Sequence, residues 1–525
     1  MGPMGSSGGD AVTPSAPVSD ADGLVVDPDP AGTRRIHLVG VAGTGMGSFA
    51  GMLKTAGHVV TGSDQNVYPP MSEMLAAWDI PVLTPYGPAN LDVAKPDLVV
   101  IGNVIRRVNV EATEVRLRRI PQTSFPAALG AFFLRDRHPV VVAGTHGKTT
   151  TSALLAHVLL TAARDPSFLV GGVARNTGTN FRLGGGPHFV VEGDEYDTAY
   201  FDKGPKFLHY RPRTAILTSV EFDHADIFRD LAHYESAFTR FLRLIPADGF
   251  LAVSRAYPNA LRLARECPGR VVTYGGAVPG LEGEAARSGD AAGEAADYVA
   301  RDVTLGPEGA RFEVRERGRA LGLATLPVGG AHNVENALGV VAAARDLGLD
   351  FDEIRPGLAT FTGVRRRQEV RAEVGGVTVV DDFAHHPTAV RETIATMRAR
   401  YPGRRLWAVF EPRSNTSRRR IHQADYVRAL AGASRVSLRV PEPHDKVPVD
   451  ERLDVPGLVG ALRGRGVPAT AEAEVEALVR DVTDAARMGD VVLVMSNGAF
   501  GGFVDALIAA LGARTETHRD TGRRA

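Results

Sequence analysis

The chain reads as an α/β protein of three domains, each on a mainly parallel sheet, and two observations predict it. β-Branched runs alternate with helix-period segments from about residue 34 to residue 511. Glycine-rich or charged clusters follow the ends of those runs, where open α/β sheets hold ligands. A length of 525 residues suits about three domains. With 44% hydrophobic residues the chain can build proper cores, and a net charge of −1 points to neither nucleic acid nor an anionic membrane as partner. No apolar run approaches the ~18 residues of a membrane span. The single cysteine, Cys267, fits a reducing cytoplasm.

Residues 1–33, rich in Gly, Ser, Pro, Asp and Ala, are expected to be a disordered extension without a signal-peptide pattern. The first domain is expected over 34–135. Ile36–Val39 reads as a strand, Gly40 to Met46 as a glycine-bearing turn, Gly47–Ala56 as a helix and Val59–Asp64 as a strand ending in a carboxylate. This is a Rossmann-like, pyrophosphate-binding unit. Its glycines are Gly40, Gly43, Gly45 and Gly47, with Ser48 in the last glycine position, so a redox cofactor and a nucleotide diphosphate fit it equally. Asp97–Gly102 is a third strand; Arg106 and Arg107 after it either face phosphate or are solvated.

The central domain is expected over 136–366. Val140–Ala143 runs as a strand into Gly144-Thr-His-Gly-Lys-Thr-Thr150, followed by an apolar helix, Ser152–Leu160. Backbone N–H groups at such a turn and the helix N-terminus cradle phosphates; Lys148 would reach the β- and γ-phosphates and Thr149 a Mg²⁺. The strict P-loop glycine is replaced by Val142, which shortens the loop. A strand over His188–Val191 enters Glu192-Gly-Asp-Glu-Tyr-Asp197. Four carboxylates in six residues repel one another unless a cation offsets them, so Mg²⁺ held by Glu192 is weighed against a solvated acidic loop. Thr214–Thr218 opens into Glu221-Phe-Asp-His-Ala-Asp226. Residues 278–296 read as an exposed insertion. Asn333 and Asn336, on the first turn of a helix over Val334–Leu347, either read a nucleoside or cap the helix.

A Rossmann-like third domain is expected over 367–513, with a frayed tail from 514. Its strands Val377–Asp382, Arg405–Phe410 and Val491–Met495 each end in a polar cluster: Phe383-Ala-His-His-Pro387, Glu411-Pro-Arg-Ser-Asn-Thr416 and Ser496-Asn-Gly498. Three such clusters predict one shared ligand-facing rim.

With these clusters in view, the stretch from about Arg34 to Leu511 resembles the Mur ligases of peptidoglycan synthesis. The matching stretches are Val67-Tyr-Pro-Pro-Met-Ser72, Ala143–Thr151, Glu192–Asp197, Glu221–Phe228, Asp381–Ala389, Glu411–Thr416 and Met495–Gly498. The resemblance implies a central P-loop ATPase-like domain and an ATP-dependent, ADP-forming amide ligase using Mg²⁺. It implies an ATP site of Gly144, Thr145, His146, Gly147, Lys148, Thr149, Thr150, His332, Asn333, Asn336, Arg367 and Asp381, with metal held by Thr149, Glu192 and His224. Lys148, Glu192 and His224 would be the catalytic residues. Gly43, Thr44, Gly45, Met46, Ser63 and Asp64 would take the UDP moiety, which decides the first domain against a redox cofactor. Glu411–Thr416 and the Tyr-Pro-Pro-Met-Ser stretch favour the branch that joins UDP-N-acetylmuramate to L-alanyl-γ-D-glutamyl-meso-diaminopimelate in wall recycling. The alternative is the branch that adds L-alanine in new synthesis. Arg413, Ser414, Asn415 and Asn497 are the expected peptide contacts. Ser219, Gln368 and Phe383 depart from the family pattern, where Asn, an apolar residue and Tyr are usual. No lysine lies between Lys206 and Lys446, so the carbamylated lysine of several later-acting relatives has no counterpart. For the proton of the attacking amine, His385 and the carboxylates near Asp223 are both candidates.

Overall fold

A computed structural model describes residues 22–69, 71–275, 296–442 and 447–523. The expected insertion at 278–296 lies outside them apart from Ala296. The chain forms two compact units, Met1–Arg135 with Tyr196–His209, and Asp136–Glu195 with Tyr210–Ala525.

The first unit holds a five-stranded, all-parallel sheet. Arg35–Val39 lies at its centre between Val59–Ser63 and Leu98–Ile101. Leu98 to Ile101 are all buried, as a parallel strand covered on both faces requires. Residues 24–26 extend this fold: Val26 donates to the Gln122 carbonyl at 2.9 Å and Gln122 to that of Leu24 at 2.9 Å. The expectation of disorder to residue 33 therefore fails at its C-terminal end. The apolar run Leu24-Val-Val26 meets the otherwise open edge of the strand Gln122–Ser124.

In the second unit, His138–Ala143 sits in a ten-stranded sheet between the parallel strands Thr214–Leu217 and His188–Gly193. Ala143 pairs with both Leu217 and Gly193, so the three strands end side by side. The phosphate loop, the acidic segment and the Glu221–Asp226 segment all emerge from that edge. The helix Lys148–Thr161 begins four residues earlier than its apolar period suggested, directly at the lysine. Its apolar residues pack into a core shared with the helix Ala331–Asp346.

A six-stranded sheet in the same unit carries the C-terminal segment. Asp382, Met495 and Phe410 are register partners, which brings the three polar clusters to one edge. The final helix runs Phe503–Arg523, where a frayed tail from 514 was expected. An established helix adds each further turn at little cost, whatever the polarity of its residues. Among the described residues no helix is long and apolar enough to cross a membrane.

Candidate active site

The phosphate loop is built by exclusion of side chains. A Cβ on Gly144, whose φ is +137°, would lie 2.2 Å from Thr218 Oγ1, and one on Gly147, with φ +78°, would lie 2.6 Å from Asn336 Oδ1. Thr145 Oγ1 donates to the Glu221 carbonyl at 2.9 Å, and the His146 N–H donates to Ser219 Oγ at 2.8 Å. Ser219, a departure from the family pattern, thus holds the loop in place.

Lys148 extends its ammonium to Glu195 Oε2 at 2.8 Å and to the Gly144 carbonyl at 2.5 Å. Burial pulls the lysine pKa down, but Glu195, Asp194 and Glu192 together hold it above its ordinary value. Glu195 is fully buried and also meets His224 Nε2 at 3.0 Å and the Tyr234 hydroxyl at 3.0 Å. Its pKa is lowered, because Lys148 and His224 outweigh burial. Burial opposes the charge on His224, yet Asp223 and Glu195 raise its pKa to about 9. Thr149 Oγ1 donates to Glu192 Oε1 at 3.0 Å, and Glu192 Oε2 accepts from the Gly171 N–H at 2.8 Å. Of the three expected metal ligands, the structure brings Thr149 and Glu192 together, while His224 faces Glu195.

Sequence reasoning missed Glu195 and Tyr234. Glu195 lay within the acidic run, but Glu192 was preferred for its nearness to the strand; Tyr234, on a helix 39 residues beyond Glu195, gave no local signal. Asp223 is buried, its Oδ2 lies 3.7 Å from His385 Nε2, and its nearby histidines overcome burial to hold its pKa well below the carboxylate range.

Beside the loop is a cavity lined by His146, Gly147, Thr150, His332, Asn333, Asn336 and Arg367, with Gln368, Asp382 and Glu392 completing the wall. Arg367 Nη2 donates to Thr149 Oγ1 at 3.4 Å. The asparagines do not cap their helix: Asn333 donates its amide to the Gly329 carbonyl at 2.8 Å and Asn336 to Asn333 Oδ1 at 3.2 Å. Asp381 differs from the expectation that it meets the nucleotide. It accepts from Arg366 Nε at 3.2 Å, and Asp382 stands in the cavity wall instead, since successive strand residues point to opposite faces.

At the C-terminal rim, Arg413 is exposed and lies over Gly498, where a Cβ would come within 2.1 Å of Nη1. Ser414 Oγ is engaged by Ser417 Oγ at 2.9 Å, and Asn415 Nδ2 donates to Asp226 Oδ2 at 2.8 Å. Asn497 Oδ1 is buried with no hydrogen-bond partner. The four expected peptide contacts thus divide, two being used within the fold.

In the first unit, Gly43, Thr44 and Gly45 are exposed at the start of the helix Thr44–Thr55, while Met46 is buried. Ser63 is buried and donates to Glu111 Oε1 at 2.7 Å, so its hydroxyl serves the core rather than a ligand. Asp64 accepts from the Ala42 N–H at 2.9 Å and the Tyr86 hydroxyl at 3.1 Å. It borders an open cleft of about 370 Å³ that Asn66, Tyr86, Ile105, Arg106 and Asn109 also line. Arg107 instead pairs with Asp22.

Residues 35–137 match the Mur ligase family catalytic domain, 142–344 the Mur ligase middle domain and 366–498 the Mur ligase glutamate ligase domain. The chain belongs to the Mur ligase family. It is 38% identical over 484 residues to the UDP-N-acetylmuramate–L-alanyl-γ-D-glutamyl-meso-2,6-diaminoheptandioate ligase of Escherichia coli K12, covering 92% of this chain and 99% of that one. It is also 38% identical to the UDP-N-acetylmuramate–L-alanine ligase of Salinibacter ruber, but over 380 residues, 72% of this chain and 74% of that one. Among solved structures, a murein peptide ligase from Psychrobacter arcticus superposes with a TM-score of 0.68 at 32% identity, covering 91% of this chain and 98% of that one. A Mur ligase with these three sheets fits the α/β fold expected from sequence.

Proposed function

We propose that this Mur ligase joins UDP-N-acetylmuramate to the tripeptide L-alanyl-γ-D-glutamyl-meso-diaminopimelate, releasing ADP and phosphate, in the cytoplasm. The observation that carries the reading is the near-complete match to the Escherichia coli tripeptide ligase, at 99% of that enzyme's length. The runner-up, addition of L-alanine, matches at equal identity only over a shorter stretch and at 34% over a comparable length.

A carboxylate does not react with an amine at neutral pH, because oxide is a poor leaving group. ATP supplies the remedy by phosphorylating the muramate carboxylate. Lys148 then offsets charge on the transferring group, and Arg367, within reach of Thr149, adds a second positive charge. The site fits Mg²⁺: Thr149 and Glu192 offer hard oxygen donors 3.0 Å apart. His224, which faces Glu195 here, would join them only as a neutral imidazole. His385, backed by the anionic Asp223, is assigned the proton of the attacking amine.

The test offers purified protein ATP, UDP-N-acetylmuramate, and the tripeptide and L-alanine at equal concentration. The tripeptide adduct should dominate; if L-alanine wins, the recycling assignment falls. Release of AMP and pyrophosphate instead of ADP and phosphate would remove the acyl-phosphate route.

A further inference from the structure

We infer that the side-chain carbonyl of Gln368 accepts a hydrogen bond from the nucleoside end of the bound nucleotide, from a base N–H or a ribose O–H, and so contributes selectivity. The inference rests on the reading of the cavity as the ATP site. Gln368 is 7% exposed and stands in the wall of that cavity. Its Oε1 is buried without any hydrogen-bond partner. Such an acceptor is costly unless something supplies it with a hydrogen.

The rest of the residue is held from several sides. Its backbone N–H donates to Asp382 Oδ2 at 2.8 Å, and its carbonyl accepts from Arg400 Nη1 at 3.3 Å. Its φ is +53°, a left-handed conformation that disfavours any residue with a Cβ. Arg366, two residues earlier, is also left-handed at φ +59°, so the chain bends on both sides of Arg367. Backbone strain of this kind concentrates at ligand sites.

The amide nitrogen faces a histidine. Its Nε2 lies 3.1 Å from His332 Nε2. Burial, and secondarily Arg367, push the His332 pKa down to about 4, so the imidazole is neutral, and in its Nδ1–H tautomer the Nε2 accepts from the amide NH₂. Oε1 is then the end left to a ligand. The place in the cavity follows from the helix Ala331–Asp346. Asn336 abuts the phosphate loop at Gly147, and His332 lies four residues, about one turn or ~6 Å, before it. A group bonded to His332 therefore stands about a helical turn from the phosphate end.

Calorimetric titration of the full chain tests this, using ADP, purine riboside diphosphate, inosine diphosphate, 2′-deoxyADP and 3′-deoxyADP. Wild type should bind ADP about tenfold more tightly than whichever of the purine, 2′-deoxy and 3′-deoxy analogues lacks the donor. Gln368→Leu should bind ADP and that analogue alike, at the analogue's weaker affinity, and Gln368→Glu, which keeps an acceptor, should retain the preference. Two results overturn the inference: unchanged selectivity in folded Gln368→Leu, or inosine diphosphate binding wild type more tightly than ADP, which would put the NH₂ outward. If Gln368→Leu does not fold, wild type and Gln368→Glu decide, and absence of any analogue preference in wild type overturns the proposal. Failure of wild type to bind ADP at all would remove the ATP reading itself, a different outcome.

Discussion

Two strand–turn–helix elements in this chain begin alike and end in different chemistry. After Arg35–Val39, the turn presents exposed Gly43, Thr44 and Gly45, and the nearby Asp64 is tied to the Ala42 N–H and the Tyr86 hydroxyl. After His138–Ala143, the turn carries Lys148 and Thr149, each bonded to a glutamate from a neighbouring segment, the fully buried Glu195 and the partly buried Glu192. The first supplies oriented backbone N–H groups, which suits holding a diphosphate that does not react. The second adds charges positioned to respond as phosphate charge moves, which suits phosphoryl transfer. On the proposed reading, the glycine-bearing turn would serve binding, and the side chains delivered by adjacent strands would serve catalysis.

The largest effect should separate these roles. Lys148→Ala is expected to lower kcat by at least ~10³ while leaving UDP-substrate affinity near wild type. Phosphate release and equilibrium binding measure the two, and activity within tenfold of wild type would show that the second turn binds something incidental.

Arg413→Ala should raise KM for the tripeptide by about 10- to 100-fold, the ~1.5–3 kcal/mol of a hydrogen bond to a charged group, with KM for ATP hardly changed. Gly498→Ala should act in the same direction more weakly, by displacing the guanidinium that lies over it. Equal rises in both KM values would give Arg413 a structural role.

On the other turn, Asp64→Ala should raise KM for the UDP substrate roughly tenfold at nearly constant kcat. A fall in kcat with unchanged KM would break the division between holding and transfer.

The smallest kinetic effect is expected from Glu335→Gln, although it should alter stability. Burial, with Glu392 adding and Ser254 opposing, raises the Glu335 pKa from 4.5 to about 7. The unfolded chain releases this proton near pH 4.5 while the folded protein keeps it to about 7. The folded state therefore binds more protons across that window, and stability falls as pH rises through it. Urea unfolding between pH 4 and 8, roughly spanning that window, should show a flatter profile for the variant; an identical slope would exclude Glu335 as a contributor.

How much of this was legible depends on sequence distance. Thr149 and Glu192 could be paired because each follows a recognisable strand, and parallel strands end at one edge. Asp381 and Asp382 could not be told apart without knowing which face of their strand meets the cavity. Glu195 as the partner of Lys148, and Tyr234 behind it, depend on the packing of a helix whose sequence has only an ordinary amphipathic period. Residues 24–26 read as part of a polar extension because a strand edge is not visible in local composition.

Asn415 and Thr416 tie the C-terminal rim to the loop that bears His224: Asn415 bonds to Asp226 at 2.8 Å, and Thr416 Oγ1 accepts from the Ala225 N–H at 3.2 Å. Arg413 is two residues from one end of this tie and His224 one residue from the other. On the proposed reading, a peptide held by the rim would therefore also act on the loop beside the phosphate site. Thermodynamic reciprocity then requires that nucleotide and peptide alter each other's affinity by the same factor. Asn415→Ala should reduce that factor toward one, and an unchanged factor in paired titrations would show the tie to be passive.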